Sequence, residues 1–179
     1  MKYIPDNDRY DYFDEESEFY DALIKYVETM PFSNPHYSRT TKQMFYDQIW
    51  GYVQKHKDYL KRQFDLFSGQ VVRVIGCEPD DVWYDGYLTH WTYDVNSFMA
   101  NTFQKEPARK YTFVVANVTD GLWVNQFLRD ESIRFEHEII APITKDMVSE
   151  VFYGTFKEFR EHMGLPEPDW DIGFNPFSF

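Results

Sequence analysis

Apolar positions along the chain fall into two rhythms, one helical and one alternating. From Asp14 to Met30, Phe19, Leu23, Val27 and Met30 recur at helical spacing and mark a core face, with Asp14, Glu18, Asp21 and Glu28 opposite. Acids in a first turn also suit the helix dipole, and Pro31 and Pro35 close the segment. A longer helix is expected from Thr41 to Phe67, on a stripe of Phe45, Ile49, Tyr52, Val53, His56, Leu60, Phe64 and Phe67. Its outer face carries Lys55, Lys57, Lys61 and Arg62, and Gly51 is the position where it would bend.

Past Phe67 the rhythm changes. Gln70 to Cys77 holds Val71, Val72, Val74 and Ile75 in a short β-branched run, which predicts a strand. Glu78-Pro79-Asp80-Asp81 reads as a turn, and the aromatic stretch Val82 to Val95 as a hairpin turning near Asp85-Gly86. Tyr111 to Val118 is apolar on both faces, as a central strand would be. Asp120-Gly121 is expected to turn the chain into a strand from Ile133 to Ile140, with Ile133, Phe135, His137 and Ile139 on one face. A last helix is expected from Lys145 to Met163, capped by Thr144 and ended by Gly164 and Pro166, burying Val148, Val151, Phe152, Phe156, Phe159 and Met163. Helices, then strands, then a helix predict an α+β domain with about three helices on a small, mainly antiparallel sheet. At 179 residues one domain is expected, with residues 1–13 as an acidic arm and 164–179 as an aromatic tail bearing Trp170, Phe174, Phe177 and Phe179.

Composition sharpens this picture. The 17 Phe, 14 Tyr and 5 Trp make an apolar core feasible and argue against a disordered chain. They also exceed what such a core needs, which points to rings at a partner surface. The net charge of −12 disfavours direct contact with nucleic-acid phosphates or an anionic membrane, and favours a basic protein partner. The charge is segmented: residues 1–30 hold nine acids and three bases, residues 31–77 three acids and seven bases, and residues 78–103 five acids and no base. With one cysteine, Cys77, no internal disulfide forms, and no apolar run approaches the roughly 20 residues of a membrane span. The first residues, Met1-Lys2-Tyr3-Ile4-Pro5-Asp6, lack the apolar core of a signal peptide, so a cytoplasmic location is expected.

Known catalytic signatures are missing. The sequence has no GxxxxGK[ST], GxGxxG, GxSxG or HExxH, and no acid-x-Lys triplet of the kind a large nuclease class uses. Glu136-His137-Glu138 suggests a metal, but strand alternation would send the histidine to one face and the glutamates to the other, so His137 is expected to be structural. Asp80, Asp81, Asp85 and Asp94 lack calcium-loop spacing, and Cys77 beside Gly76 reads as packing. No metal, cofactor or catalytic residue is therefore expected.

What remains is a binding pattern. Acids three and four residues apart on a helix lie roughly 4.5–6 Å apart along its axis, against about 3.4 Å between successive phosphates of a DNA strand. Asp14, Glu18 and Asp21 could thus stand in for phosphates in a basic groove. Residues 78–94 combine Asp80, Asp81, Asp85 and Asp94 with Trp83 and Trp91, which suits electrostatic steering and aromatic anchoring. These nine residues are the expected partner-binding set. The expected function is a protein-binding inhibitor, without chemistry of its own, of a basic nucleic-acid-handling enzyme: a CRISPR effector, a nuclease or a restriction enzyme. In composition the chain resembles phage-encoded inhibitors and toxin-immunity proteins, a likeness that covers no motif. The alternatives are a small metal-dependent or carboxylate-based enzyme using the 78–94 aspartates, and a structural or assembly protein of a virus or mobile element.

Overall fold

The structure is a computed structural model that describes residues 14–28, 39–81, 91–102, 108–127 and 137–168. The arm at 1–13, the proposed turn at Asp85-Gly86, the first half of the strand expected from Ile133 and the tail beyond Pro168 lie outside the described residues.

The fold is α+β. Helices α1 (Asp14–Glu28), α2 (Arg39–Lys55) and α3 (Lys57–Gln63) come first. Strand β1 (Phe67–Ile75), strand β2 (Trp91–Thr92) and helix α4 (Val95–Thr102) follow, then strands β3 (Lys110–Trp123), β4 (Glu138–Ile140) and β5 (Val148–Thr155), and helix α5 (Phe156–Met163). Five helical segments are thus described where about three were expected, and all strand pairing is antiparallel. β3 is central, as its two apolar faces predicted: it pairs with β1, β4 and β5. β2 joins β1 and β4, so β1, β2, β4 and β3 close a ring of pairings, and among the described residues β5 pairs with β3 alone.

Strand alternation divides the core at β3. On one face Tyr111, Phe113 and Val115 pack with Val72 of β1, with Val95 and Met99 of α4, and with Phe159 of α5. On the other, Val114, Ala116 and Val118 pack with Val71, Trp91, Ile139, Ala141 and Ile143. A third cluster joins α1, α2 and α3 to the far end of the sheet through Leu122, Val124, Phe127 and Ile140. There α1 contributes Phe19, Tyr20, Ala22, Leu23 and Tyr26, and Phe19 stacks on Tyr52 of α2 at 4.4 Å.

Several expectations need correction. The long helix does not run to Phe67. It is interrupted at His56, whose backbone leaves helical geometry while the hydrogen bonds on either side, His56 to Tyr52 and Leu60 to His56, persist. It ends at Gln63, with Phe64 extended, and Phe67 opens β1. Asp120-Gly121 is no chain reversal. Register passes from Gly69↔Val118 to Phe67↔Gly121, so β3 carries one extra residue there and Asp120 takes a φ of 56°. Local turn chemistry is expressed as a bulge inside a 14-residue strand. A Cβ at Gly121 would come within 2.7 Å of Ile139, so the side-chain-free position lets β4 approach.

The last predicted helix is half wrong. Lys145–Met147 is a single tight turn, Val148–Thr155 is a strand, and only Phe156–Met163 is helical. Thr144 makes no side-chain cap. The cap is Thr155, whose hydroxyl accepts from the Glu158 N–H while the Glu158 carboxylate accepts from the Thr155 N–H. Val151, expected to be buried, is 40% exposed, whereas Phe159 is fully buried, stacked on Phe113 at 4.1 Å. Gly164, left-handed at φ 65°, ends α5 as expected, with Leu165 N–H bonded back to Arg160.

Candidate functional site

Amphipathic α1 buries one face and gives the other to water. Glu18 and Asp21 are both exposed, with Lys25 one turn further on. Nothing is described of the Asp14 side chain.

The 78–94 region separates into pieces. Glu78 and Asp80 are exposed at the Pro79–Asp81 turn, which packs against β5. The Asp81 side chain, Trp83 and Asp85 lie outside the described residues. Trp91 is only 3% exposed: it pairs with Ile139 and packs between the strands, so its ring is not available to a partner. The two-residue strand, held on both sides, buries both of its side chains, Trp91 and Thr92.

Asp94 is committed locally. One carboxylate oxygen accepts from the Ser97 N–H at 3.0 Å and the other from the Ser97 hydroxyl at 2.8 Å, which caps α4. The second oxygen also stands 3.9 Å from His137 Nε2. The Tyr93 hydroxyl is 2.9 Å from His137 Nδ1, and the Tyr93 ring is sandwiched by Phe67 at 5.2 Å and Trp123 at 5.6 Å. Burial pushes the Tyr93 hydroxyl up, with help from the Asp94 charge, so it stays protonated and donates to Nδ1. Burial also pushes His137 down against the raising effect of Asp94, which favours the neutral ring with its remaining N–H on Nε2, towards Asp94. Nδ1 is thereby hydrogen-bonded, while Nε2 faces the Asp94 carboxylate beyond hydrogen-bond distance. His137 ties the start of β4 to the β2–α4 connection, helped by the Tyr93 N–H donating to its carbonyl at 3.4 Å. It does so from a φ of 46°, just before the strand that begins at Glu138, while Phe135 lies outside the described residues. Glu138 is 1% exposed inside the sheet, its N–H donating to Asn125, and its charge helps burial to raise the hydroxyl of Tyr26.

The described residues hold no group of three or more His, Cys, Asp or Glu side chains that could share a metal, and no helix long and apolar enough to cross a membrane. Half-buried Cys77 packs against the second core cluster, and its carbonyl accepts the Thr112 hydroxyl.

The sequence reading passed over one feature. β5 leaves Val151 and Tyr153 exposed, at 40% and 41%, on a strand paired along one side only among the described residues. The signal was present in the β-rich Val148–Tyr153 and in the capping box Thr155-x-x-Glu158, which marks a helix start eleven residues after the expected one. Comparison with family models, with curated proteins and with solved structures finds no match to this chain.

Proposed function

We propose that the protein is an acidic inhibitor that binds a basic, nucleic-acid-handling enzyme, such as a CRISPR effector, a nuclease or a restriction enzyme, in place of that enzyme's nucleic acid. The observation that carries this reading is the division of α1: Phe19, Ala22, Leu23 and Tyr26 anchor it in the core, while Glu18 and Asp21 face water. The carboxylates are therefore presented from a fixed rod, roughly 4.5 Å apart along its axis. A preorganised row of charge loses little entropy on binding, and a net charge of −12 draws a basic groove towards it. Glu78 and Asp80 add further exposed acids at the turn after β1. The role needs no chemistry of its own, which agrees with an Asp94 carboxylate whose two oxygens both accept from Ser97.

Capture of a target with the immobilised protein, followed by kinetics, tests the reading. Nucleic acid should compete with the protein for the captured enzyme. Glu18→Lys with Asp21→Lys should slow association by about tenfold, and raising salt should slow the wild type similarly. An association rate indifferent to both, or simultaneous binding of protein and nucleic acid, refutes it.

A further inference from the structure

Among the described residues β5 pairs with β3 alone, while β1, paired along one side with β3, meets β2 on its other side only at Val72↔Thr92. Open edges are ordinarily blunted by lysine, proline, a β-bulge or a shortened strand, and of these β5 has only a bulge at Ser149, next to its first residue. β5 runs eight residues, about 27 Å at 3.4 Å per residue. Val148–Thr155 contains no lysine and no proline, and its single charge, Glu150, is bonded to His162 of α5. Of the three large apolar side chains exposed among the described residues, Val151 and Tyr153 both lie here, two residues apart and so on one face. The acidic turn is close by: Pro79–Asp81 packs against β5, and Glu78 and Asp80 are exposed at it. Lys110, over the Tyr153 ring at 5.8 Å, and Lys145 stand near the two ends of the strand.

We infer that β5 is a docking edge for an extended, basic segment of a protein partner, which adds to the sheet as a further strand. Backbone hydrogen bonds along β5 supply register, Val151 and Tyr153 supply apolar anchors, and Glu78 and Asp80 meet the basic side chains. Charge chooses this occupant over a second copy of the chain. Two copies at −12 repel, whereas a basic strand is attracted both by the whole molecule and by the adjoining turn. The inference takes its basic partner from the function proposed above, but places part of the contact on a surface far in sequence from α1.

The test uses the full chain with synthetic ten-residue probes: alternating lysine and valine, its glutamate and valine counterpart, and the lysine probe with two central prolines. The readouts are amide chemical shifts and hydrogen exchange along β5. The lysine probe should slow exchange at the outward-facing amides of Val148–Thr155 by about tenfold or more. The other two should do so at least about tenfold less well. Val151→Lys with Tyr153→Lys should abolish the effect, and Val151→Thr with Tyr153→Thr, which keeps strand propensity, should weaken it if the lysine variant does not fold. Unchanged β5 amides, equal protection by the glutamate probe, or protection that appears in the protein alone together with dimer in sedimentation overturns the inference. A captured target that binds with α1-dependent kinetics but leaves β5 unprotected sinks this inference alone. Protection of β5 with association indifferent to α1 sinks the nucleic-acid mimic alone.

Discussion

Truncating Phe159 and Val151 separately decides how residues 145–163 are built. On one continuous helix both side chains would share the buried stripe, and both truncations would be costly. In the strand-then-helix arrangement they part company. Phe159 is 0% exposed, lies flat on Phe113 at 4.1 Å and 3°, and has Phe152 at 5.6 Å. Phe159→Ala removes a fully buried ring from beneath the central strand and leaves a cavity, at a cost of about 3–5 kcal/mol. Domains of this kind have about 5–15 kcal/mol of stability in all. With about 2–4 °C lost per kcal/mol at this chain length, the melting temperature should fall by about 6–20 °C. Val151 is 40% exposed, so Val151→Ala should cost under about 1 kcal/mol, mostly strand propensity. Urea midpoints and thermal melts followed by circular dichroism measure both. Equal costs, or a Phe159→Ala cost below about 1.5 kcal/mol, would refute the docking of α5 on β3 and with it the exposed edge at β5.

Three further outcomes follow from particular contacts. Gly51 sits within α2 where a Cβ would meet nothing within 4 Å, so Gly51→Ala should stabilise by about 0.5–1 kcal/mol, seen as a higher urea midpoint. Asp120 is held below its ordinary value of 3.8 by hydrogen bonds from Lys57 at 2.7 Å and Lys61 at 3.0 Å. Its contribution is present above that ordinary value and is lost as pH falls through the depressed one. Asp120→Asn, which still tolerates the left-handed backbone, should therefore cost about 0.5–2 kcal/mol at neutral pH and approach wild type in acid. Burial lowers His137 from 6.5, so the unfolded chain binds more protons just below that value, and wild-type stability should drop as pH falls through it. His137→Asn should flatten that segment of the stability–pH curve, and an unchanged slope would contradict the burial of the imidazole.

What the sequence disclosed depended on whether a pattern had one reading. Tyr111–Val118 is apolar on both faces, which only a central strand or a buried helix explains, and its β-branched content decided between them. α1 was legible because its acids and its apolar residues segregate cleanly. Residues 145–163 admit two readings: Val148, Val151, Phe152, Phe156 and Phe159 fit helical spacing, yet the first three also suit a strand, and it is pairing with β3 that settles the matter. Such pairing is a tertiary effect with no local trace. The same holds for the candidate site. Glu18, Asp21 and Asp80 were correctly placed at the surface, but the burial of Trp91 depends on Ile139, 48 residues away, and the positive φ of His137 on the Tyr93 and Asp94 contacts. Asp120-Gly121 has turn composition, and only the register against Ser68 and Phe67 reveals a bulge.

The pairing of β3 with β1 on one side and β5 on the other has a consequence for the order in which the chain can fold. β1 meets residues of β3 about 40 positions away, and β5 returns to β3 across a similar stretch. Most of the sheet is thus assembled from contacts of high sequence separation, whose loop-closure entropy is spent before any apolar surface is gained. During synthesis the Tyr111–Ala116 side of β3 stays bare until residues 148–155 have emerged, and the face of the Phe113 ring on which Phe159 stacks stays open until α5 follows. An apolar strand waiting with an open side is the species from which aggregation starts. The short α5, with its capping box and left-handed stop, carries strong local signals for rapid formation. The speed of that last β–α unit therefore sets how long the nascent sheet is exposed. Substitutions that weaken the Thr155 cap should reduce soluble yield by more than their effect on equilibrium stability would suggest.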